Sequence, residues 1–464
     1  MATINTDTQL FDVINPATEE VVDTLRFDTT EEIEGKYKTA KAAQLSWAKK
    51  TVAERVAIIK RFSELLGENS KELSEILTAE MGKPLNQSSG EINGASGRIN
   101  FFLENSEKWL ATETVVQEEG LTEKIAYEPL GVIANISAWN YPYLVGVNVF
   151  VPALIAGNAV LYKPSEFAAL TGLKIGELLH KAGVPAEVFQ VVVGAREAGE
   201  ALLKLPMDGY YFTGSYRTGQ YIYNQVAPKM VPCQLELGGK DPMYVADDNS
   251  DVRAMAVTGV EGAFYNNGQS CCAVERIYVH ENIYDDFIKY YVEEAAAMKM
   301  GDGTDEGVFL GPLSRKEQIK VIQEQVDDAV NKGAKVLLGG KPAEGKGYFF
   351  EPTVLVDVDH SMLVMKEESF GPIIGIQKVK SDDEAVSLMQ DTDYGLAAAV
   401  YTQSQERAEN ILKQIDTGTA YWNCCDRVSA YTPWAGRKNS GIGATLSYQG
   451  IRAFAKTKAY HFRG

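Results

Sequence analysis

From about residue 131 to 246, short apolar runs alternate with longer stretches in which apolar residues recur every three or four positions. The runs "GVIANIS", "NAVLYKPSE", "VFQVVVG", "GYYFTGS" and "CQLELGG" have the length and composition of buried strands. The stretches "YLVGVNVFVPALIAG", "LTGLKIGELLHKAG", "REAGEALLKL" and "YRTGQYIYNQVA" between them read as helices. Such alternation predicts a parallel, doubly wound sheet with helices on both faces. The segment 30–110 reads as helical, most clearly in "TVAERVAIIKRFSELLGENSKELSEILTAEMGK". After residue 250 a second series follows, with "AVERIYVH", "AKVLLGG", "FGPIIGIQKV", "GLAAAVYT" and "TGTAYWN" as strands and "SRKEQIKVIQEQVDDAVNKGA" among the helices. Two α/β domains fit this pattern better than one.

Residues 111–131, "ATETVVQEEGLTEKIAYEPLG", look like a polar two-stranded hairpin that neither core needs. With the tail "RAFAKTKAYHFRG", it is expected to pair with another subunit as an added strand.

Bulk properties narrow the field. The 464 residues are 45% hydrophobic, enough for two or three domains with their own cores. A net charge of -18, with no extended Lys/Arg cluster, lacks the footprint expected for nucleic acid or an anionic membrane. "MATINTDTQLFDVINPATEE" carries neither a basic nor an apolar leader region, so the expected location is the cytoplasm. The 5 cysteines, Cys233, Cys271, Cys272, Cys424 and Cys425, form neither a disulfide framework nor a zinc spacing. They are read as free thiols, and no metal site is expected.

Ligands of open α/β sheets bind beyond the carboxyl ends of the strands. There the sequence places Lys163-Pro164-Ser165-Glu166, Thr213-Gly214-Ser215, and Glu236 ahead of Gly238-Gly239. A cation, a glycine-hydroxyl turn and a carboxylate suit ribose and phosphate. Gly214 and Gly219 are spaced more widely than in the GxGxxG fingerprint, and the same pattern also suits a helix start with no ligand.

"NNGQSCCAVE" sets Cys271 and Cys272 side by side. A nucleophilic cysteine needs a base or a depressed pKa. None of the 4 histidines adjoins a motif, which leaves a carboxylate such as Glu236 as an open choice of base. Cys233, Cys424 and Cys425 read as small buried hydrophobes. In "ISAWNYPYL", Asn140 reads either as a helix cap between two packing aromatics, Trp139 and Tyr141, or as a neutral donor to an oxyanion.

Taken in order, "WNYP", "KPSE", "FTGS", "ELGGKDP", "GQSCC", "ESFGP" and "PWAGRKNSGIG" give the chain a resemblance to the aldehyde dehydrogenase superfamily from Asn15-Pro16 to about residue 458. The resemblance implies an α/β, aldehyde dehydrogenase-like fold. Its parts would be a Rossmann-like NAD-binding domain (1–110 and 132–238), an α/β catalytic domain (239–438) and a small oligomerisation arm (111–131 and 439–464).

It further implies that Cys271 is the nucleophile, while Cys272 faces elsewhere and serves packing. Asn140 and the Cys271 N–H would hold the oxyanion, and Glu236 would activate the water that hydrolyses the thioester. Cofactor contacts would fall on Ala138, Trp139, Lys163, Ser165, Glu166, Gly214, Ser215, Gly219, Leu237, Glu368 and Phe370. A carboxylate at Glu166 favours NAD, with NADP left open because Lys163 can meet the extra phosphate.

Tyr141, Tyr143, Leu144, Val147, Asn148, Tyr265, Cys425 and Trp434 are the candidates for the substrate tunnel. Three classes of aldehyde stay open: an apolar one, a betaine or amino-aldehyde met by aromatic faces, and succinic semialdehyde. The arginines common to enzymes of the last class near Asn148 and Tyr265 are missing, although Arg427 and Arg437 are close in sequence. The expected partners are a small-molecule aldehyde and further copies of the chain, as a homodimer or homotetramer, with no nucleic acid and no membrane. A Cys-Glu thioesterase or esterase without redox chemistry is the alternative activity, and a non-catalytic scaffold the third reading.

Overall fold

The computed structural model describes residues 10–464, so the first nine residues of the N-terminal stretch and of the 1–110 segment lie outside the described residues. Two large sheets carry the molecule. The first has six strands in the order Gly441–Ile442, Cys233–Glu236, Gly209–Thr213, Val132–Ile136, Ala159–Lys163 and Phe189–Val191, all parallel except the first. The chain runs outward from Val132–Ile136 on one side and returns to Gly209–Thr213 on the other. A crevice therefore opens at the carboxyl ends of those two neighbours, as doubly wound sheets require.

The second sheet has seven strands in the order Lys335–Leu338, Thr353–Val356, Ile373–Val379, Val274–His280, Asp241–Val245, Ala397–Tyr401 and Thr419–Trp422; only Lys335–Leu338 is antiparallel to its neighbour. Its strands Asp241–Val245 and Thr353–Val356 are fully buried yet escape the sequence pattern. The first begins Asp-Pro and the second has four residues, so neither shows an alternation long enough to read.

Helices Thr30–Trp47, Val52–Glu68, Ser70–Met81 and Leu85–Leu110 fill the segment read as helical. The stretch read as its clearest helix is two, parted at Asn69, whose side chain donates to the Leu65 carbonyl at 2.7 Å and closes the first helix without Gly or Pro. Among the described residues no helix is long and apolar enough to cross a membrane.

The polar hairpin exists as Glu113–Glu118 and Leu121–Pro129, but the tail does not wait for a second subunit. Strand Ala455–Arg463 pairs with Leu121–Pro129 of its own chain over nine residues, making a three-stranded antiparallel sheet. The sheet so formed leaves its two outer edges, Ala455–Arg463 and Glu113–Glu118, without a strand partner among the described residues. Within 439–464, Gly441–Ile442 joins the first sheet instead.

Candidate active site

Helix Val252–Phe264 is followed by Asn266 (φ 52°), Asn267 (φ 56°) and Gly268 (φ 67°), three left-handed residues in succession. That backbone costs least for Gly and Asn, so "NNG" is what the turn requires. A side chain at 268 would run into the carbonyls of Ala263 and Gly371. The turn is held from outside: Gln87 Oε1 accepts the Asn266 N–H at 3.0 Å, Gln269 Oε1 accepts the Ser314 N–H at 3.0 Å, and the Asn267 amide donates to the Gly311 carbonyl. Half-buried Cys271 follows, facing a cavity of about 900 Å³, and its N–H meets no backbone acceptor among the described residues.

Cys272 is buried in the first core and does not line that cavity, and it does more than pack. Its thiol donates to Asp426 Oδ1 at 2.8 Å and lies 3.4 Å from Ser270 Oγ. The adjoining Cys271 side chain, then burial, push its ionisation well above the ordinary thiol range. Of the two neighbours, Cys272 is held as the thiol.

Asn140 is 4% exposed and does not cap the helix Pro142–Ala156, whose N-cap is Tyr141. Its amide donates to the Gln269 carbonyl at 3.0 Å, so the turn that carries Cys271 also orients Asn140. The Asn140 carbonyl accepts from Lys83 Nζ at 2.8 Å and from Asn266 Nδ2 at 3.2 Å. Lys83 in turn pairs with Glu91, both side chains fully buried, and the other Glu91 oxygen accepts the Tyr143 N–H at 2.8 Å. Removing either partner would strand a buried charge.

Glu236 ends the strand Cys233–Glu236 and faces the same cavity as Cys271. It accepts from Thr445 Oγ1 at 3.1 Å, and burial pushes its carboxyl up to about 8. Thr445 belongs to a segment that ties the two sheets together. Gly441 pairs with Glu236, the Leu237 N–H donates to the Ser440 carbonyl at 3.0 Å, and Ser440 Oγ accepts the Gly395 N–H at 2.9 Å beside the second sheet.

The cavity, about 900 Å³, lies over the crevice of the first sheet. Lys163, Ser165 and Glu166 line one end, Gly214 and Ser215 the start of helix Tyr216–Val226, and Ala138, Trp139, Leu237, Glu368 and Phe370 the approach to Cys271. Ser215 caps that helix by accepting the Thr218 N–H, and a helix N-terminus of this kind can receive an anion. Burial lowers the affinity of Lys163 for its proton, and its contact with Glu166 is a loose 3.9 Å. The Glu368 carboxylate accepts the Gly239 N–H at 3.1 Å, and burial, then Glu275, push it up to about 8. Gly219 is the exception among the expected cofactor residues. It does not line the cavity; it is buried against Leu237, where a side chain would collide, so its lack of Cβ serves helix packing.

Volume and lining suit a dinucleotide laid from Glu166 to Cys271. Positively charged Arg315 also lines this space, 5.7 Å from the Trp139 ring.

The substrate candidates divide. Tyr141, Leu144, Asn148 and Tyr265 gather near Cys271 and Cys272 outside the large cavity: Tyr141 feels Asp426, Cys272 and Tyr265 as neighbours. Tyr143 and Val147 are corrected. On a helix they lie on a different face from Leu144 and Asn148, and they are fully buried in the first core. Cys425 is corrected as well: it packs in the core of the second sheet, against Gly262, with its ionisation pushed up to about 12 by burial. Trp434 is buried and exchanges backbone bonds with Thr445, beside the Glu236 partner.

Three functional groups escaped the sequence. Lys240 Nζ, buried, bonds Glu275 at 2.7 Å, and Glu275 accepts the N–H groups of Ser369 and Phe370, so this pair shapes the loop that carries Glu368. Lys240 lies within "ELGGKDP" and Glu275 directly after "CCAV", which was the available signal. Arg98 had none. It lies in helix Leu85–Leu110 and donates to the Leu144 carbonyl at 3.2 Å and to Asn148 Oδ1 at 3.1 Å.

A family model described as "Aldehyde dehydrogenase family" matches residues 3–460. A succinate-semialdehyde dehydrogenase [NADP(+)] from Deinococcus radiodurans is 35% identical over 449 residues, 97% of this chain and 94% of its own length. A peroxisomal aminoaldehyde dehydrogenase from Malus domestica is 34% identical over 96% of this chain and 91% of its own. Among solved structures, an NADP-dependent enzyme from E. coli superposes with a TM-score of 0.96 at 32% identity, covering 99% of this chain and 96% of the other. A Staphylococcus aureus betaine aldehyde dehydrogenase in complex with NAD+ gives 0.94 at 30% identity, covering 99% and 95%.

Proposed function

The chain belongs to the aldehyde dehydrogenase family, and from that premise we propose how its residues divide the work of oxidising an aldehyde to the carboxylic acid with a nicotinamide cofactor. The observation that supports the division best is the joint facing of Cys271, Glu236 and Asn140 onto one end of a dinucleotide-sized cavity. The Cys271 sulfur bonds the aldehyde carbon, and the carbonyl oxygen takes up the charge. The Cys271 N–H and the remaining Asn140 amide hydrogen stabilise that oxyanion.

The cofactor, when bound, supplies the hydride acceptor. As the oxyanion reforms its carbonyl, a thioester on Cys271 remains. Water then attacks it, Glu236 takes the water's proton, and breaking of the C–S bond returns the thiolate and the free acid. Lys163 and Glu166 hold the adenosine ribose, Gly214 and Ser215 the pyrophosphate, and Glu368 with Phe370 the nicotinamide ribose. A thioesterase would have no use for the reach of the cavity to Lys163 and Glu166.

With NAD and a panel of aldehydes, reduced-nicotinamide absorbance should appear together with the free acid. NADP should serve less well, because Glu166 repels a 2′-phosphate. Equal kcat/KM for the two cofactors would remove that preference, and no absorbance with any aldehyde would remove the assigned roles. Binding of NAD should also quench Trp139, which lines the cavity 5.5 Å from Phe370.

In the same reading, 1–110 with 132–238 is the NAD-binding domain, 239–438 the catalytic domain, and 111–131 with 439–464 an arm joining subunits. The two open edges of the three-stranded sheet support a homodimer or homotetramer. Light scattering should give twice or four times the chain mass of 50.9 kDa, and a monomer at micromolar concentration would contradict the arm.

A further inference from the structure

Around Cys271 the charged side chains of Lys83, Glu91, Glu236 and Asp426 are all engaged. Glu91 is satisfied by Lys83 and the Tyr143 N–H, Asp426 by the Cys272 thiol, and Glu236 by Thr445. Lys83 additionally lies 3.8 Å over the Tyr141 ring, so that aromatic face already holds a cation. Arg98 differs. One terminal nitrogen reaches Leu144 and Asn148; its other N–H groups meet no acceptor, and no carboxylate forms an ion pair with it among the described residues.

Protein crowds the Arg98 guanidinium closely enough for burial to lower its hold on its proton, yet part of the residue remains accessible. The guanidinium is thus crowded by protein without being sealed off. It stands beside the site: Cys272, Glu91, Cys271 and Glu236 are near enough for their charges to act on it. Leu144, half-buried, and Asn148, buried, meet Arg98 from the helix Pro142–Ala156. Gly94, one turn before Arg98, faces Leu144 so closely that a side chain there would crowd it, which keeps the helices near each other.

The geometry points to Arg98 as the residue that receives the far end of the substrate, which makes the preferred substrate a short aldehyde with a carboxylate at its other end. A partly enclosed guanidinium with free donors is a poor neighbour for a cation and a strong, bidentate partner for a carboxylate. Asn148, by accepting one Arg98 N–H, turns the fork without neutralising it. The absence of arginine at positions 148 and 265 therefore does not argue against an anionic substrate, since the charge arrives from the helix Leu85–Leu110. This inference rests on the proposed aldehyde oxidation at Cys271.

The test compares kcat/KM for three aldehydes of matched length, ending in a carboxylate, a methyl and an ammonium group, on wild type, Arg98→Met and Arg98→Lys. Wild type should favour the carboxylate. In Arg98→Met the ratio of carboxylated to neutral substrate should fall by about 10- to 100-fold, the usual worth of a hydrogen bond to a charged group, mostly through KM, and Arg98→Lys should recover part of it. Equal losses on all three substrates, or a wild type that prefers the methyl or ammonium aldehyde, would overturn the assignment. A wild type inactive on every aldehyde would instead defeat the proposed activity, so the two failures are distinguishable. Labelling of Cys271 by iodoacetamide at an unchanged rate in Arg98→Met would support a role on substrate, whereas a large drop would assign Arg98 to the thiolate and overturn it.

Discussion

Cys271→Ala should leave no measurable production of reduced nicotinamide, a loss of at least about 10⁴-fold given what removal of a nucleophile costs other covalent enzymes. No neighbouring thiol can take over. Cys272 is closest, but its proton is committed to Asp426, and with the Cys271 side chain gone burial and the Asp426 charge still push its ionisation up. Cys425 lies in another core with its ionisation pushed up to about 12. The alanine variant should still bind NAD, because none of the groups proposed to hold the adenosine or pyrophosphate depends on the thiol. Quenching of Trp139 by NAD at wild-type affinity, with no turnover, is the expected pair of results. Residual turnover above a thousandth of wild type would mean that a different nucleophile operates.

Glu236→Gln should separate the two halves of the reaction. With its base gone, the thioester on Cys271 persists, so one equivalent of reduced cofactor should appear in a burst and steady turnover should then fall by about 10²- to 10⁴-fold. A wild-type burst followed by wild-type turnover would exclude Glu236 as the base. The pH dependence has a definite sign. The carboxyl sits at about 8, so it is mostly protonated and inactive as a base below that pH; hydrolysis-limited turnover should rise with pH and level off above about 8.

Folding obeys the same linkage with the opposite consequence. The native state holds this proton more tightly than the unfolded chain, so ionisation of Glu236 costs stability as pH climbs from the unfolded value toward about 8. Glu236→Gln removes that cost, and its amide still accepts from Thr445. The variant should unfold at no lower denaturant concentration than wild type at pH 8, which keeps a loss of rate from being mistaken for a loss of fold.

What could be read in the sequence was whatever is local. The five buried strands of the first sheet announce themselves as apolar runs, and the motif residues Cys271, Glu236 and Asn140 stand at the ends of such runs or in a left-handed turn that only Asn and Gly favour. Glu275 and Lys240 lay inside or beside the motifs, yet their work on the 368–370 loop is visible only through contacts made about a hundred residues away. Tyr143 and Val147 were misplaced because proximity in sequence on a helix is not proximity in space: a step of one residue turns a side chain to another face. Arg98 was invisible for the complementary reason. It is fifty positions from Asn148, in a helix whose pattern reports only core packing.

The strap from Ser440 to Thr445 limits how the two sheets can move apart. It bonds Leu237 and Glu236 of the first sheet while Ser440 reaches Gly395 beside the second, so prising the sheets apart would tear the general base away from its support. Opening of the cavity over Cys271 should therefore proceed by side-chain and loop rearrangement rather than by a jaw that gapes.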